Sequence, residues 1–306
     1  MAKSKTLVYS KYLLIGLIGL SIFLLTLLAK LPESKIQSLI TAHVRIAAQE
    51  QGFLFTAEKI TTSLIFGPAV KIYNAEFKSI DDESKKLNIP FIQLKPHLTS
   101  IFLQTKKATI SIELLGGEIS GVVGSGPTRT LADIKLSDID PSQSQLLTNY
   151  LPIKSKGSIS GSFLYDALPQ NPLETNLEVD LELQNLELPA QEVAGVQLPL
   201  IKIGDAAIEG KSSEGKFEVS KFQVGSPNNS DIEANATGSI KLAASLLDST
   251  SDIKISFKLS DALIKAFPLI DALIAPAKRN DGRYAYKLIG PLSFPSPVPD
   301  GSSNAQ

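Results

Sequence analysis

The chain has 306 residues, with 30 Lys and Arg against 31 Asp and Glu, no Cys, no Trp and one Met. Near-neutral charge excludes the basic field that nucleic acid requires, and the lack of cysteine excludes disulfides, thiolate catalysis and cysteine metal ligands. The length suits one large domain or two modest ones.

Residues 1–11 form a short basic tail carrying Lys3, Lys5 and Lys11, and Tyr12–Ala29, YLLIGLIGLSIFLLTLLA, follows without a charge. At ~1.5 Å per residue this run covers roughly 27 Å, enough to cross a bilayer core. A single transmembrane helix is expected over residues 12–31. The positive-inside rule then puts the tail in the cytoplasm and everything after the span across the membrane. A cleaved signal peptide is the competing reading, but the run is long and LLAKLPES is a poor cleavage site. Leu17, Leu20 and Leu24 share one face of the span, and Gly16 and Ser21 permit close approach of another helix; these five residues are the candidate membrane contacts.

Pro32 and Gly52 bracket an amphipathic helix. Its expected apolar face is Ile36, Leu39, Ile40, His43, Ile46 and Ala47, which would cap a sheet or lie on the membrane. From Phe53 the period becomes two. Ile110, Ile112 and Leu114 alternate with polar residues, as do Leu177, Val179, Leu181 and Leu183, and again Ile253, Ile255, Phe257 and Leu259. This is the pattern of antiparallel strands with one apolar and one wet face, punctuated by turn formers such as Gly116-Gly117 and Ser213–Gly215. Ser260–Ile274 reads as a second helical stretch, with Ser260 or Asp261 as cap and Pro268 forcing a kink or restart. The expected fold is mainly β: a β-rich exported domain over 32–294, built as an elongated, curled antiparallel sheet with an amphipathic helix near each end. Residues 295–306, PSPVPDGSSNAQ, are expected to be a disordered tail.

Little catalytic chemistry is on offer. His43 and His97 are the two histidines, Asp133, Asp138 and Asp140 lack a calcium-loop glycine, and no G-x-S-x-G elbow is present. The glycine run GGEISGVVGSG at Gly116–Gly126 lacks the Gly-Lys-Ser/Thr ending of a phosphate loop. Its glycines are better suited to strand approach and sheet bending, and Gly238 and Gly290 are expected at strand edges for the same reason. The sequons at Asn228 and Asn235 fall in an Asn/Ser-rich stretch and call for no sugar. No enzyme activity, metal or cofactor is expected. The apolar sheet face, represented by Val179, Leu181, Ile255 and Phe257, is either a core filled by its own side chains, the leading reading, or a trough that carries lipid.

Several segments in order resemble the bacterial type II secretion system protein N family (GspN), in the form found in Leptospira and Geobacter. They are the basic head and single span, FLFTAEKITTSLIFGPAVKIYNAEF at Phe53–Phe77, KGSISG at Lys156–Gly161, LEVDLELQNLELP at Leu177–Pro189, the stretch from Gly215 to Asp261, and NDGRYAYKLIGP at Asn280–Pro291. The Phe53–Phe77 segment also resembles the opening of AsmA-like proteins. The resemblance implies a groove- or taco-shaped sheet anchored in the inner membrane with its domain in the periplasm. It further implies a non-enzymatic accessory subunit for protein export, with the inner-membrane platform and the secretin as candidate partners. The AsmA-like features imply an alternative, a protein that binds membrane lipid or transfers it between the inner and outer membranes.

Overall fold

The computed structural model describes residues 33–63, 67–82, 85–143, 154–168, 170–193, 196–227, 229–243 and 246–300. The expected span at 12–31, with Gly16, Leu17, Leu20, Ser21 and Leu24, lies outside the described residues. Among the described residues no helix is long and apolar enough to cross a membrane.

The described residues are dominated by one antiparallel sheet of fourteen strands, which follow one another in chain order. They are β1 (Phe53–Ser63), β2 (Ala69–Ser79), β3 (Lys86–Pro96), β4 (Lys106–Leu114), β5 (Gly117–Ser125), β6 (Thr130–Ile139), β7 (Lys156–Ala167) and β8 (Asn176–Leu188). A small separate hairpin, β9 (Gln191–Val193) with β10 (Val196–Leu198), interrupts the meander. The sheet resumes with β11 (Ile201–Ser213), β12 (Lys216–Val224), β13 (Ile232–Lys241), β14 (Thr250–Leu259), β15 (Tyr284–Pro291) and β16 (Ser296–Pro299). Each alternating run found in the sequence lies in one strand, because period-two polarity fits a pleated strand with one wet face. Short turns connect most neighbours, so the meander needs few long-range crossovers.

Bulges and glycines bend the sheet. Register shifts occur between Leu136 and Ile139 in β6 and at Gly204 in β11, and each adds local twist. Gly121 has φ +157° and Gly238 φ +142°. A Cβ at Gly121 would stand 2.0 Å from the Asp133 carbonyl oxygen, and one at Gly238 2.2 Å from that of Asp252. Only glycine fits either place. Gly238 thus sits inside β13, opposite Val219 and Ile253, and not at a strand edge.

Strand β1 starts at what we call the lower end of the sheet and finishes at the upper end. Helix α1 (Glu33–Glu50) turns at Gln51–Gly52 into β1. Val44 and Ala48 pack with Phe55, Ile72, Ala75 and Ile89 in a small core. Further back along the helix, Gln37, Ser38, Thr41 and Arg45 line a hollow with Thr56, Ala57 and Ile60. The helix therefore runs back along β1, and its N-terminal end points toward the upper end. This corrects the expected packing face. The residues on the sheet are Val44 and Ala48, whereas Leu39, His43, Ile46 and Ala47 are exposed. The small Ala48 allows the helix to approach closely, which a face of Leu and Ile would prevent.

The second helical stretch divides as its proline dictates. Ser260 caps α2 (Asp261–Ala266), its side chain accepting from the Leu263 N–H at 3.2 Å. Pro268 then opens α3 (Pro268–Ile274). Both helices lie at the lower end, between β14 and β15. The tail also differs from expectation. Ser296–Pro299 forms β16 on β15, and the Asp300 N–H donates to Ala285 O at 2.8 Å. Its prolines are tolerated because β16 is an edge strand that needs few donors.

Candidate functional site

The strand registers join into a single line of cross-strand partners that crosses the whole sheet. It runs Thr62, Val70, Leu94, Ile110, Gly121, Ile134 and Phe163 over β1 to β7. It continues through Val179, Gly210, Val219, Gly238, Ile253, Leu288 and Pro297 over β8 to β16. Thirteen of these fourteen positions are apolar or glycine. One residue along, on the opposite face, the line reads Thr61, Lys71, Gln93, Ser111, Ser120, Lys135, Ser162, Asp180 and Glu209. The inner face is therefore one continuous apolar line across all fourteen strands, and the neighbouring outer line is polar from β1 to β11.

Coverage of the inner face is uneven. It closes under α1, and again around Leu177, Phe217 and Leu242 near the upper end. Across β4, β5 and β6, Ile110, Ile112, Ile119, Ile134 and Leu136 are only half-buried. Packing between elements passes mainly from each strand to its sheet neighbours. A filled two-layer core would bury these side chains fully. Each leaves a few tens of Å² of apolar surface in water, an unfavourable contribution of about 1 kcal/mol per side chain.

Val179, Leu181, Ile255 and Phe257 all occupy the inner face and all are half-buried. Val179 lies opposite Phe163 and Gly210, and Leu181 opposite Gly161 and Ile208. Ile255 pairs with Ala236 and Tyr286, and the Phe257 ring stacks on Tyr284 and Tyr286 at centroid distances of 5.4 and 6.2 Å. The two pairs are four strands apart, roughly 19 Å at ~4.8 Å per strand, so they share a surface and do not form one pocket. Only the pairing of β14 with β15 brings Tyr284 and Tyr286 to the Phe257 ring. The alternation of Tyr284, Tyr286 and Leu288 in YAYKL predicts the strand and its apolar side.

Outer-face charges pair across neighbouring strands. Lys211 Nζ stands 2.6 Å from Glu178, Lys221 Nζ 2.7 Å from Glu209 and Lys287 Nζ 3.0 Å from Asp252. The hydrogen bond from Lys211 holds the Glu178 carboxyl below its ordinary range. Such exposed pairs stabilise little, typically below about 1 kcal/mol each, but they specify which face stays wet.

The sequence's candidate chemical groups serve local structure. His97 Nε2 bonds Thr109 Oγ1 at 2.8 Å, and His43 Nδ1 meets Leu39 O at 2.9 Å. Asp140 accepts from the Ser142 N–H, and the Asp138 N–H donates to Ser160 Oγ. Among the described residues no group of three or more His, Asp or Glu is arranged to hold a metal. Comparison with protein-family profiles, curated proteins and solved structures finds no match to this chain.

Proposed function

We propose that the protein binds lipid acyl chains along its inner face, which serves as an open, taco-shaped groove. The segment before Glu33 tethers it to the inner membrane, with the sheet in the periplasm. One observation carries this reading: the apolar line through all fourteen strands, whose central members stay half-exposed. At ~4.8 Å per strand the face is roughly 60 Å long. That is about twice the ~30 Å hydrocarbon thickness of a bilayer, so acyl chains can lie within it. Acyl chains would cover surface that the chain itself leaves in water, and the aromatic group around Phe257 would supply flat contact area. The work is binding and guiding, without catalysis.

A second reading, an accessory adaptor of the type II secretion system, draws its support from the resemblance of the quoted segments to the GspN family. The charged outer face offers such an assembly a surface for protein neighbours. One experiment separates the two. A photo-crosslinking residue is placed in cells at Ile112, Val179 or Phe257 on the inner face, and at Glu178 or Lys254 on the outer. Phospholipid adducts confined to the inner positions support the groove. Adducts to platform or secretin subunits, with no lipid at any inner position, sink it in favour of the adaptor.

A further inference from the structure

The upper end of the sheet carries large apolar side chains on four separate connections. Leu98, Phe102 and Leu103 lie between β3 and β4, Leu173 between β7 and β8, Leu247 between β13 and β14, and Phe294 between β15 and β16. Phe102 is 91% exposed and Phe294 81% exposed. Three of these loops are ordered from within by buried serines. Ser100 Oγ donates to His97 O and accepts from the Lys107 N–H at 3.0 Å. Ser212 Oγ donates to Thr175 O and accepts from the Leu177 N–H, while Ser249 Oγ accepts from the Ala243 N–H. The backbone of those three connections is thus held, and that of the fourth by Leu292 N–H donating to Ser249 O and Ser293 N–H to Leu247 O, while the apolar side chains stay exposed. Lone exposed apolar residues are ordinary, but a set held along one rim marks a contact surface.

We propose that this upper rim rests on a phospholipid bilayer, with the six apolar side chains seated at the boundary of headgroups and acyl chains. Three further observations favour a bilayer as the occupant. Helix α1 runs back along β1, so its N-terminal end emerges toward this rim. The 32 residues preceding Glu33 include the uncharged run Tyr12–Ala29, long enough to cross a bilayer. Beside Leu103, Lys106 supplies positive charge suited to anionic headgroups, its Nζ donating to Leu103 O at 2.8 Å. Side chains of this kind need reach only ~5–10 Å into the interface. The rim contact stands whether or not the inner face binds lipid. If it does, the upper mouth of the groove opens against the membrane.

The rival surface is at the other end, where Leu269 on α3 is 85% exposed and Leu273 is exposed beside it. The absence of Trp makes the two ends distinguishable. Single variants Phe102→Trp, Phe294→Trp, Leu269→Trp and Leu273→Trp of the full chain are reconstituted into vesicles of phosphatidylethanolamine and phosphatidylglycerol, with and without brominated acyl chains. The expected result is about twofold quenching by the brominated chains, with a blue shift, at Phe102→Trp and Phe294→Trp, and neither effect at the α3 positions. Quenching at the α3 positions without quenching at the rim overturns the proposal, as does uniform absence of quenching. A rim variant whose thermal melt falls below that of the wild type is replaced by Leu247→Trp on a third loop, with the same outcomes required.

Discussion

Tyr284 donates its hydroxyl proton to Asp271, and through that bond the first residue of β15 holds α3 against the lower end of the sheet. The ring of Tyr284 is fully buried, stacked on Phe257, with Lys278 Nζ 5.5 Å above it and 3.9 Å from Asp271. One side chain thereby ties the inner face to the helices. Tyr284→Phe keeps the ring and removes the bond, and is expected to cost about 1–2 kcal/mol, read as a lowered urea midpoint.

The same bond has a pH signature. The hydrogen bond to Asp271, aided by burial, raises the Tyr284 pKa above its ordinary value of 10.0. The protonated form is favoured by folding, so the stabilisation is complete below pH 10 and fades as pH rises through the folded value. The stability gap between wild type and Tyr284→Phe is expected to narrow from pH 8 to pH 11, as measured by urea unfolding. A constant gap would mean the bond does not titrate with the fold.

Arg129 grips Asp166 with two guanidinium nitrogens, Nε donating at 2.7 Å, and so joins the β5–β6 connection to β7 at the upper end. The hydrogen bond from Arg129 lowers the Asp166 pKa. Its contribution is therefore present above roughly pH 4 and is lost as pH falls through the folded value. Because the Arg129 side chain is 43% exposed, solvent screening keeps the contribution below about 1 kcal/mol. Asp166→Asn is expected to lower the urea midpoint slightly at pH 7 and to leave it unchanged near pH 2.

Gly238→Ala tests the bend of the sheet. The new Cβ would meet the Asp252 carbonyl oxygen at 2.2 Å, and the φ of +142° disfavours any side chain. Strain of this kind costs about 1–3 kcal/mol, which predicts a fall in Tm of several degrees by calorimetry. An unaltered melt would show that β13 and β14 can separate freely at Gly238, contrary to the close approach of the Asp252 carbonyl.

Val179→Asp places a carboxylate in the middle of the apolar line, against Phe163 and Gly210. Since Val179 is half-buried, the charge keeps part of its hydration, and the destabilisation is expected to be about 1–3 kcal/mol, short of unfolding the domain. Lipid co-purifying with the variant, quantified by mass spectrometry, should fall well below the wild-type amount. Retention of lipid at the wild-type level would place any bound acyl chain away from this line.

Much of the local structure was legible in particular residues. LEVDLEL could only be a strand with Val179 and Leu181 on one side, since side chains alternate by geometry. Ser260 and Pro268 announced where α2 begins and α3 restarts, because capping and the missing proline N–H act within a turn of helix. Apolar spacing in α1 points to Leu39 and Ile46, whereas the sheet takes Val44 and Ala48, a choice that depends on the partner surface. SPVP became β16 because β15 presented an open edge, which composition does not record.

By itself the sequence determined which side of each strand is apolar, the turns and caps between elements, and an uncharged stretch ahead of the sheet. These are properties of residues within a few positions of one another. Only the tertiary structure decided that fourteen strands share one register line, that its middle stays half-open, and that Leu98, Phe102, Leu173, Leu247 and Phe294 gather at one rim. Those outcomes depend on hydrogen bonds and packing between segments far apart in the chain, where alternation alone reads the same for a filled core and an open face.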